Sequence, residues 1–235
     1  MAYPQAPWTL QGHAIQTVQL IDIERVRPLI PSELQIISVW PGKTLGGVYL
    51  SYYGSASVLK YSELIVVAGV VSYSGKIGGW VSHIYVDNID SVAGGRDIWG
   101  LPKELAEFTW DKKICTASGY ENFVLVRQGE RTLCRLHYSP KNLGLQVPFS
   151  GDVFSTKRAS ILVFKGELKS RVSLVSSRLE IPSESHFANI GLQQPWLTVF
   201  CDELNLVAGA PQIVGHRDVE ISSIRNSDIT IEREI

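Results

Sequence analysis

The chain has 235 residues, 45% hydrophobic and 19% charged, with a formal net charge of −1 and an isoelectric point near 6.5. That balance suits a globular domain with a real core. It offers no basic footprint for nucleic acid and no Lys/Arg run to hold an anionic membrane surface, so neither partner is expected. The three cysteines, Cys115, Cys134 and Cys201, are odd in number and scattered, which favours reduced thiols in a cytoplasmic protein over a disulfide framework.

Met1-Ala2-Tyr3-Pro4-Gln5 has neither a basic region nor an apolar core and is not read as a signal peptide. The run Leu64 to Val71 is too short for a membrane-spanning helix. Short β-branched runs bounded by Gly, Pro, Asp or Ser dominate the chain and predict strands. In order they are Val18 to Ile21, Gly47 to Tyr52, Leu64 to Tyr73, Trp80 to Val86, Phe123 to Arg127 and Thr132 to Tyr138. Ile161 to Lys165, Arg171 to Leu179, Trp196 to Leu206 and Asp218 to Arg225 follow. Gln128-Gly129-Glu130-Arg131 predicts a hairpin loop. Only two helices are expected. One starts near Asp22 and is shortened by Pro28. The other is capped by Asp90 or Ser91 and broken around Gly100 and Pro102, which puts Lys103 at a helix–turn junction. With no linker or repeat, residues 1–235 read as a single mainly β domain, a largely antiparallel barrel or sandwich with a few short helices.

Gly94-Gly95-Arg96-Asp97-Ile98-Trp99-Gly100-Leu101-Pro102-Lys103-Glu104-Leu105 carries the strongest chemical signal. A lysine is a nucleophile only as the neutral amine, which calls for an apolar, poorly hydrated seat. Trp99, Leu101, Pro102 and Leu105 are the neighbours that could provide it. The spacing Gly95-x4-Gly100 mimics a phosphate-binding loop, but Leu101-Pro102 replaces the required Lys-Ser/Thr pair. The glycines therefore read as a tight turn packed around Trp99.

These residues resemble the acetoacetate decarboxylase family. Gly95-Arg96-Asp97 stands where that family has Gly-Arg-Glu, and Leu101-Pro102-Lys103-Glu104 where it has aromatic-Pro-Lys-Lys. Tyr85-Val86-Asp87-Asn88, Tyr61-Ser62-Glu63 and the Pro31 to Leu34 spacing resemble further family motifs, all within roughly residues 7–110. The resemblance implies a β-barrel fold and a homo-oligomer. It also implies a lyase that decarboxylates a small β-keto acid through an imine on Lys103, with no metal or organic cofactor. Glu63 would project toward the lysine, as general acid/base or to repel the substrate carboxylate. Trp99 and Leu101 are the expected substrate-binding walls.

Two departures stand out. Acetoacetate decarboxylase is itself the known case of a lysine activated by an adjacent cationic group, and Glu104 occupies that adjacent position here. Burial must then do the work, and Glu104 is expected to face away toward a surface or inter-subunit cation. The family also has an arginine near its N-terminal Pro-aromatic segment. Gln11-Gly12-His13 follows Pro7-Trp8 at that place, so His13 is a candidate substrate-binding residue beside the plainer reading of a loop histidine. The family's glutamate on the strand before Tyr-x-Glu has no counterpart in Gly47 to Tyr53. Lysine chemistry with a changed substrate is thus expected. The alternatives are a Schiff-base aldolase or dehydratase on another keto acid, and a non-catalytic ligand-binding barrel. Arg96 is expected to pair with Asp87. The five histidines form no HExxH and no CxxC accompanies them, so no metal site is expected. No Gly-x-Ser-x-Gly elbow is present.

Overall fold

The computed structural model describes residues 3–116, 119–139 and 144–217, without the side chains of 112–116 and 119–121. The chain opens with β1 (Trp8–Asp22), α1 (Ile23–Val26) and a 3-10 turn, Arg27–Leu29, that holds Pro28 in its first turn. Then come β2 (Gln35–Ile36), β3 (Lys43–Tyr53), β4 (Tyr61–Tyr73), β5 (Lys76–Val86) and α2 (Ile89–Trp99). They are followed by β6 (Lys103–Leu105), β7 (Glu107–Thr116), β8 (Gly119–Gln128), β9 (Arg131–Tyr138) and β10 (Leu145–Lys157). The chain continues with β11 (Ser160–Leu174), β12 (Ser177–Glu180), β13 (Leu197–Ala208) and β14 (Gln212–His216). The fold is mainly β and largely antiparallel, as the strand-rich sequence implies.

The larger sheet runs β2-β4-β3-β1-β13-β11-β10-β5-β6, and an additional β4–β5 pairing closes it on itself. Among the described residues, only β10–β5 and β5–β6 pair in parallel. A four-stranded sheet, β12-β9-β8-β7, packs beside it. β3 and β4 bury both faces, which explains the near-continuous apolar run from Leu64 to Val71. Along β3, Val48 and Leu50 join Val124, Val126 and Leu136 of the second sheet in one core cluster. Tyr53 and, at the edge, Tyr49 point the other way, into a second cluster with Trp8, Tyr61, Ile84, Val92, Trp99 and Leu101. The candidate site lies in this second cluster.

Several expectations need correction. The α2 cap is Asn88, two or three residues earlier than expected: its side chain accepts from Asp90 N and Ser91 N at 2.9 and 3.1 Å. Ser91 is thereby released for another task. Lys103 does not end a helix–turn junction but starts β6, paired in parallel with Ile84 of β5. The expected strand Arg171 to Leu179 is the end of β11 and most of β12, parted at Val175-Ser176. β10 escaped notice because Pro148 and Gly151 interrupt its pattern. Pro148 is tolerated since that part of β10 pairs only with β11, leaving its other edge without a ladder partner. β7 was hidden by its polar face, with Glu107, Thr109 and Asp111 exposed. The expected strand Asp218 to Arg225 and the Cys115 side chain lie outside the described residues. Among those described, no helix is long and apolar enough to cross a membrane.

Candidate active site

The turn after α2 places the lysine. Gly100 adopts a left-handed conformation (φ 64°), its N–H donating to Arg96 O and the Leu101 N–H to Gly95 O, both at 3.1 Å. These bonds, spanning four and six residues, together with the left-handed glycine reverse the chain at the helix end. A side chain at Gly100 would also meet the Thr156 carbonyl oxygen at 2.5 Å. Pro102 then forbids more helix, and Lys103 folds back beneath α2. Arg96 Nε donates to Lys103 O at 2.7 Å and pins the backbone there. The expected partner of Arg96, Asp87, instead accepts from Ser62 N at 2.6 Å.

Lys103 is buried, 4% exposed. Its stem crosses α2 at Gly95 and its amine reaches Ser91, four residues earlier on the same helix face. Nζ donates to Ser91 Oγ at 3.0 Å and to Glu63 Oε1 at 2.7 Å. The Tyr61 ring centroid is 5.0 Å from Nζ and that of Trp8 5.8 Å. Glu63 is equally buried, and its Oε2 accepts from Tyr53 Oη at 3.3 Å, with Tyr49 Oη a further 3.3 Å on. Burial, reinforced by the Glu63 carboxylate, pushes the Tyr49, Tyr53 and Tyr61 phenols up, so all three keep their protons.

This differs from the seat expected of Lys103. Glu63 projects toward the lysine, and its carboxylate is hydrogen-bonded to the amine. The walls are aromatic, but the amine is held by two polar groups, as any buried ammonium must be. Two surface depressions of about 570 and 480 Å³ lie elsewhere, one bordered by Phe149, Leu168 and Lys169, the other by Glu33, Tyr73 and Ile77.

The paired glycines serve this packing. A Cβ at Gly95 would lie 2.4 Å from Lys103 Cδ, and one at Gly94 would lie 2.6 Å from the Trp8 ring. Gly95→Ala is expected to push the lysine stem off α2 and draw Nζ away from Glu63. Alanine's better helix propensity, by up to about 1 kcal/mol, offsets part of that strain. The expected outcome is a folded protein that has lost most of its carbonyl trapping, checked by melting temperature and by borohydride labelling side by side.

The remaining candidates divide. Trp99 is buried, stacks edge-on to Trp8 with centroids 4.9 Å apart, and donates its indole N–H to Gly209 O at 2.7 Å. It buttresses Trp8 behind the amine, and Leu101 belongs to the same cluster. His13 is not brought to Lys103. Cross-strand register puts Ala14, Ser51 and Glu63 on one sheet face and His13, Tyr52 and Ser62 on the other. There the His13 ring meets Tyr52, Trp110 and Phe200. Glu104 is exposed and accepts from Gln128 Nε2 at 3.0 Å, an amide in place of the expected cation. Sequence reading passed over Ser91, Tyr53 and Tyr49 as site residues, and saw Trp8 and Tyr61 only as parts of motifs. Alternation along β3 was the one available signal for the two tyrosines, which lie four apart. Cys134 and Cys201 are buried free thiols, the former pushed up to about 12 by burial. Among the described residues, no group of three His, Cys, Asp or Glu could hold a metal ion.

A mainly β protein with a lysine–carboxylate pair buried under a helix end is the class that fold and geometry define. Residues 1–164 match the family model described as Acetoacetate decarboxylase (ADC). The chain belongs to the acetoacetate decarboxylase family. It is 32% identical over 114 residues to Protein NEOXANTHIN-DEFICIENT 1 of Solanum lycopersicum, a match covering 48% of this chain and 38% of the relative. The chain thus spans well under half the length of that curated relative. Its fold is similar to that of a solved acetoacetate decarboxylase, with a TM-score of 0.71 at 13% identity, covering 92% of each chain. It is also similar to the enduracididine biosynthesis enzyme MppR complexed with pyruvate, with a TM-score of 0.67 at 12% identity, covering 92% of this chain and 93% of that one. The fold is thus shared by proteins of different names.

Proposed function

We propose that this chain is a carboxy-lyase in which Lys103 forms an imine with a small β-keto acid and releases carbon dioxide. The observation that carries the reading is the buried contact of 2.7 Å between Lys103 Nζ and Glu63 Oε1. Moving one proton across that contact turns an ammonium and a carboxylate into a neutral amine and a neutral acid. The nucleophile is thus produced by its own partner, where the sequence alone suggested desolvation.

The amine adds to the ketone carbon, and a proton passes from nitrogen to oxygen to give the carbinolamine. Glu63 returns its proton to the hydroxyl, which leaves as water, and the protonated imine forms beside the Glu63 carboxylate. The electron pair of the bond to the carboxylate carbon flows into the imine, carbon dioxide leaves and an enamine remains. Glu63, reprotonated by one proton taken up from solvent, protonates the enamine carbon, and addition of water to the resulting imine releases the ketone and regenerates the lysine. Glu63 is the general acid and base. The Trp8 and Tyr61 faces favour the cationic imine, and Trp99 and Leu101 back the wall. No metal or organic cofactor enters these steps, since the imine is the electron sink. The same reading takes the protein as a single-domain, cytoplasmic homo-oligomer.

The test is borohydride reduction in the presence of acetoacetate, with mass spectrometry of the Lys103 peptide and assay of carbon dioxide. The expected result is an adduct on Lys103 together with decarboxylation. An adduct with pyruvate and an aldehyde but no carbon dioxide from acetoacetate would move the reading to the aldolase or dehydratase type. No adduct with either would leave a binding module.

A further inference from the structure

We infer that Tyr53 and Tyr49 form the path by which solvent protons reach Glu63. The inference rests on the decarboxylase reading above. Its starting point is a proton count. Imine formation consumes none from solvent, because the proton the lysine gives up returns to the departing water. Decarboxylation does consume one: a β-keto carboxylate and one proton become a ketone and carbon dioxide. Each turnover must therefore carry one proton from solvent to the enamine carbon.

Lys103, Glu63, Ser91 and Tyr53 are all buried, Tyr53 completely. Tyr49 is the member of the chain that reaches partial exposure. The hydrogen bonds run in one sense inward: Tyr49 Oη lies 3.3 Å from Tyr53 Oη, and Tyr53 Oη donates to Glu63 Oε2 at 3.3 Å. Glu63 uses its other oxygen, Oε1, toward Lys103. One carboxylate oxygen thus faces the supply and the other the consumer. Burial keeps both phenols protonated, so each passes a proton by accepting one as it gives one, without becoming a phenolate. The register explains the geometry, since Tyr49, Ser51 and Tyr53 share a face of β3, and Ser51 stands directly beside Glu63 of β4. The charged and titratable groups facing this chain are Lys103 from β6, Tyr61 from β4 with Asp87 behind it, and the Cys201 thiol from β13 beside Tyr49. Burial raises Cys201 and leaves it out of the relay.

The test is Tyr53→Phe in the full-length protein with acetoacetate, read by steady-state kinetics in H2O and D2O and by borohydride adduct on Lys103. Phenylalanine keeps the buried ring and removes only the hydroxyl. The expected result is a kcat lower by roughly tenfold or more, a KM within about twofold, a larger solvent deuterium isotope effect, and an unchanged yield of adduct. Tyr49→Phe, at the outer end of the chain, is expected to show the same split in smaller measure. A Tyr53→Phe protein with wild-type kcat and isotope effect, or one whose adduct and kcat fall together, would overturn the relay while leaving the lysine chemistry in place. Failure of the unaltered protein to form adduct or carbon dioxide would instead remove the decarboxylase reading, and the relay with it.

Discussion

Lys103→Arg is expected to abolish borohydride-dependent labelling and turnover together. Arginine keeps the positive charge and much of the length, so it preserves the buried ion pair with Glu63. Its guanidinium cannot lose a proton in a protein, and the proton transfer to Glu63 Oε1 that produces the nucleophile is closed to it. A lysine that merely attracted a carboxylate by charge would tolerate the change. The control is Lys76, exposed at the start of β5, where the same substitution should leave both readouts at the wild-type level. A Lys103→Arg protein that still turned over a keto acid at a comparable rate would sink the imine mechanism. Circular dichroism on the same sample separates chemical loss from unfolding.

Glu63→Gln should cost both activity and stability. The carboxylate is the only anion bonded to the Lys103 amine among the described residues, and both side chains are 5% exposed. Removing one partner of a buried pair leaves the other charge uncompensated, a change that typically costs about 3–5 kcal/mol. For a chain of this size that corresponds to roughly 6–20 °C in melting temperature. The penalty belongs to the protonated amine. It should be largest around neutral pH and shrink as the pH rises toward the range where the unfolded chain's lysine also loses its proton. In that interval the unfolded state holds more protons than the variant's native state, so stability climbs with pH. Melting curves of both proteins from pH 6 to about pH 10 check the sign. A melting-temperature difference that stayed constant across this range would mean that the amine does not carry the penalty. Imine formation should fall as well, because among the described residues no other carboxylate is bonded to Nζ to take its proton.

The two largest effects thus fall on the two residues that the sequence marked most clearly. Lys103 was legible because Gly100 and Pro102 enforce a turn whose chemistry is local: a left-handed glycine ends the helix and a proline prevents its resumption. Glu63 was legible through its place in the Tyr61-Ser62-Glu63 motif. Tyr53 and Tyr49 carried no comparable mark. A buried tyrosine in a strand looks the same whether its hydroxyl meets a carboxylate or a backbone carbonyl, and only the pairing of β3 with β4 brings it beside Glu63. His13 shows the reverse error. Its distance along the chain from Pro7-Trp8 was suitable, but the period of two in a strand sends it to the opposite face from Ala14.

Composition and pattern by themselves determined that this is a mainly β chain with two short helices and a lysine held at a constrained turn, because propensity, alternation and helix termination act over a few neighbouring residues. The tertiary structure alone decided what that lysine touches. Ser91 was freed because Asn88 took the cap, Gly95 was required because the lysine stem crosses α2, and Glu63 came within 2.7 Å because β4 and β6 both pair with β5. The Lys103–Glu63 contact joins residues far apart in the chain through sheet register, and register is set by how the whole ring of strands closes.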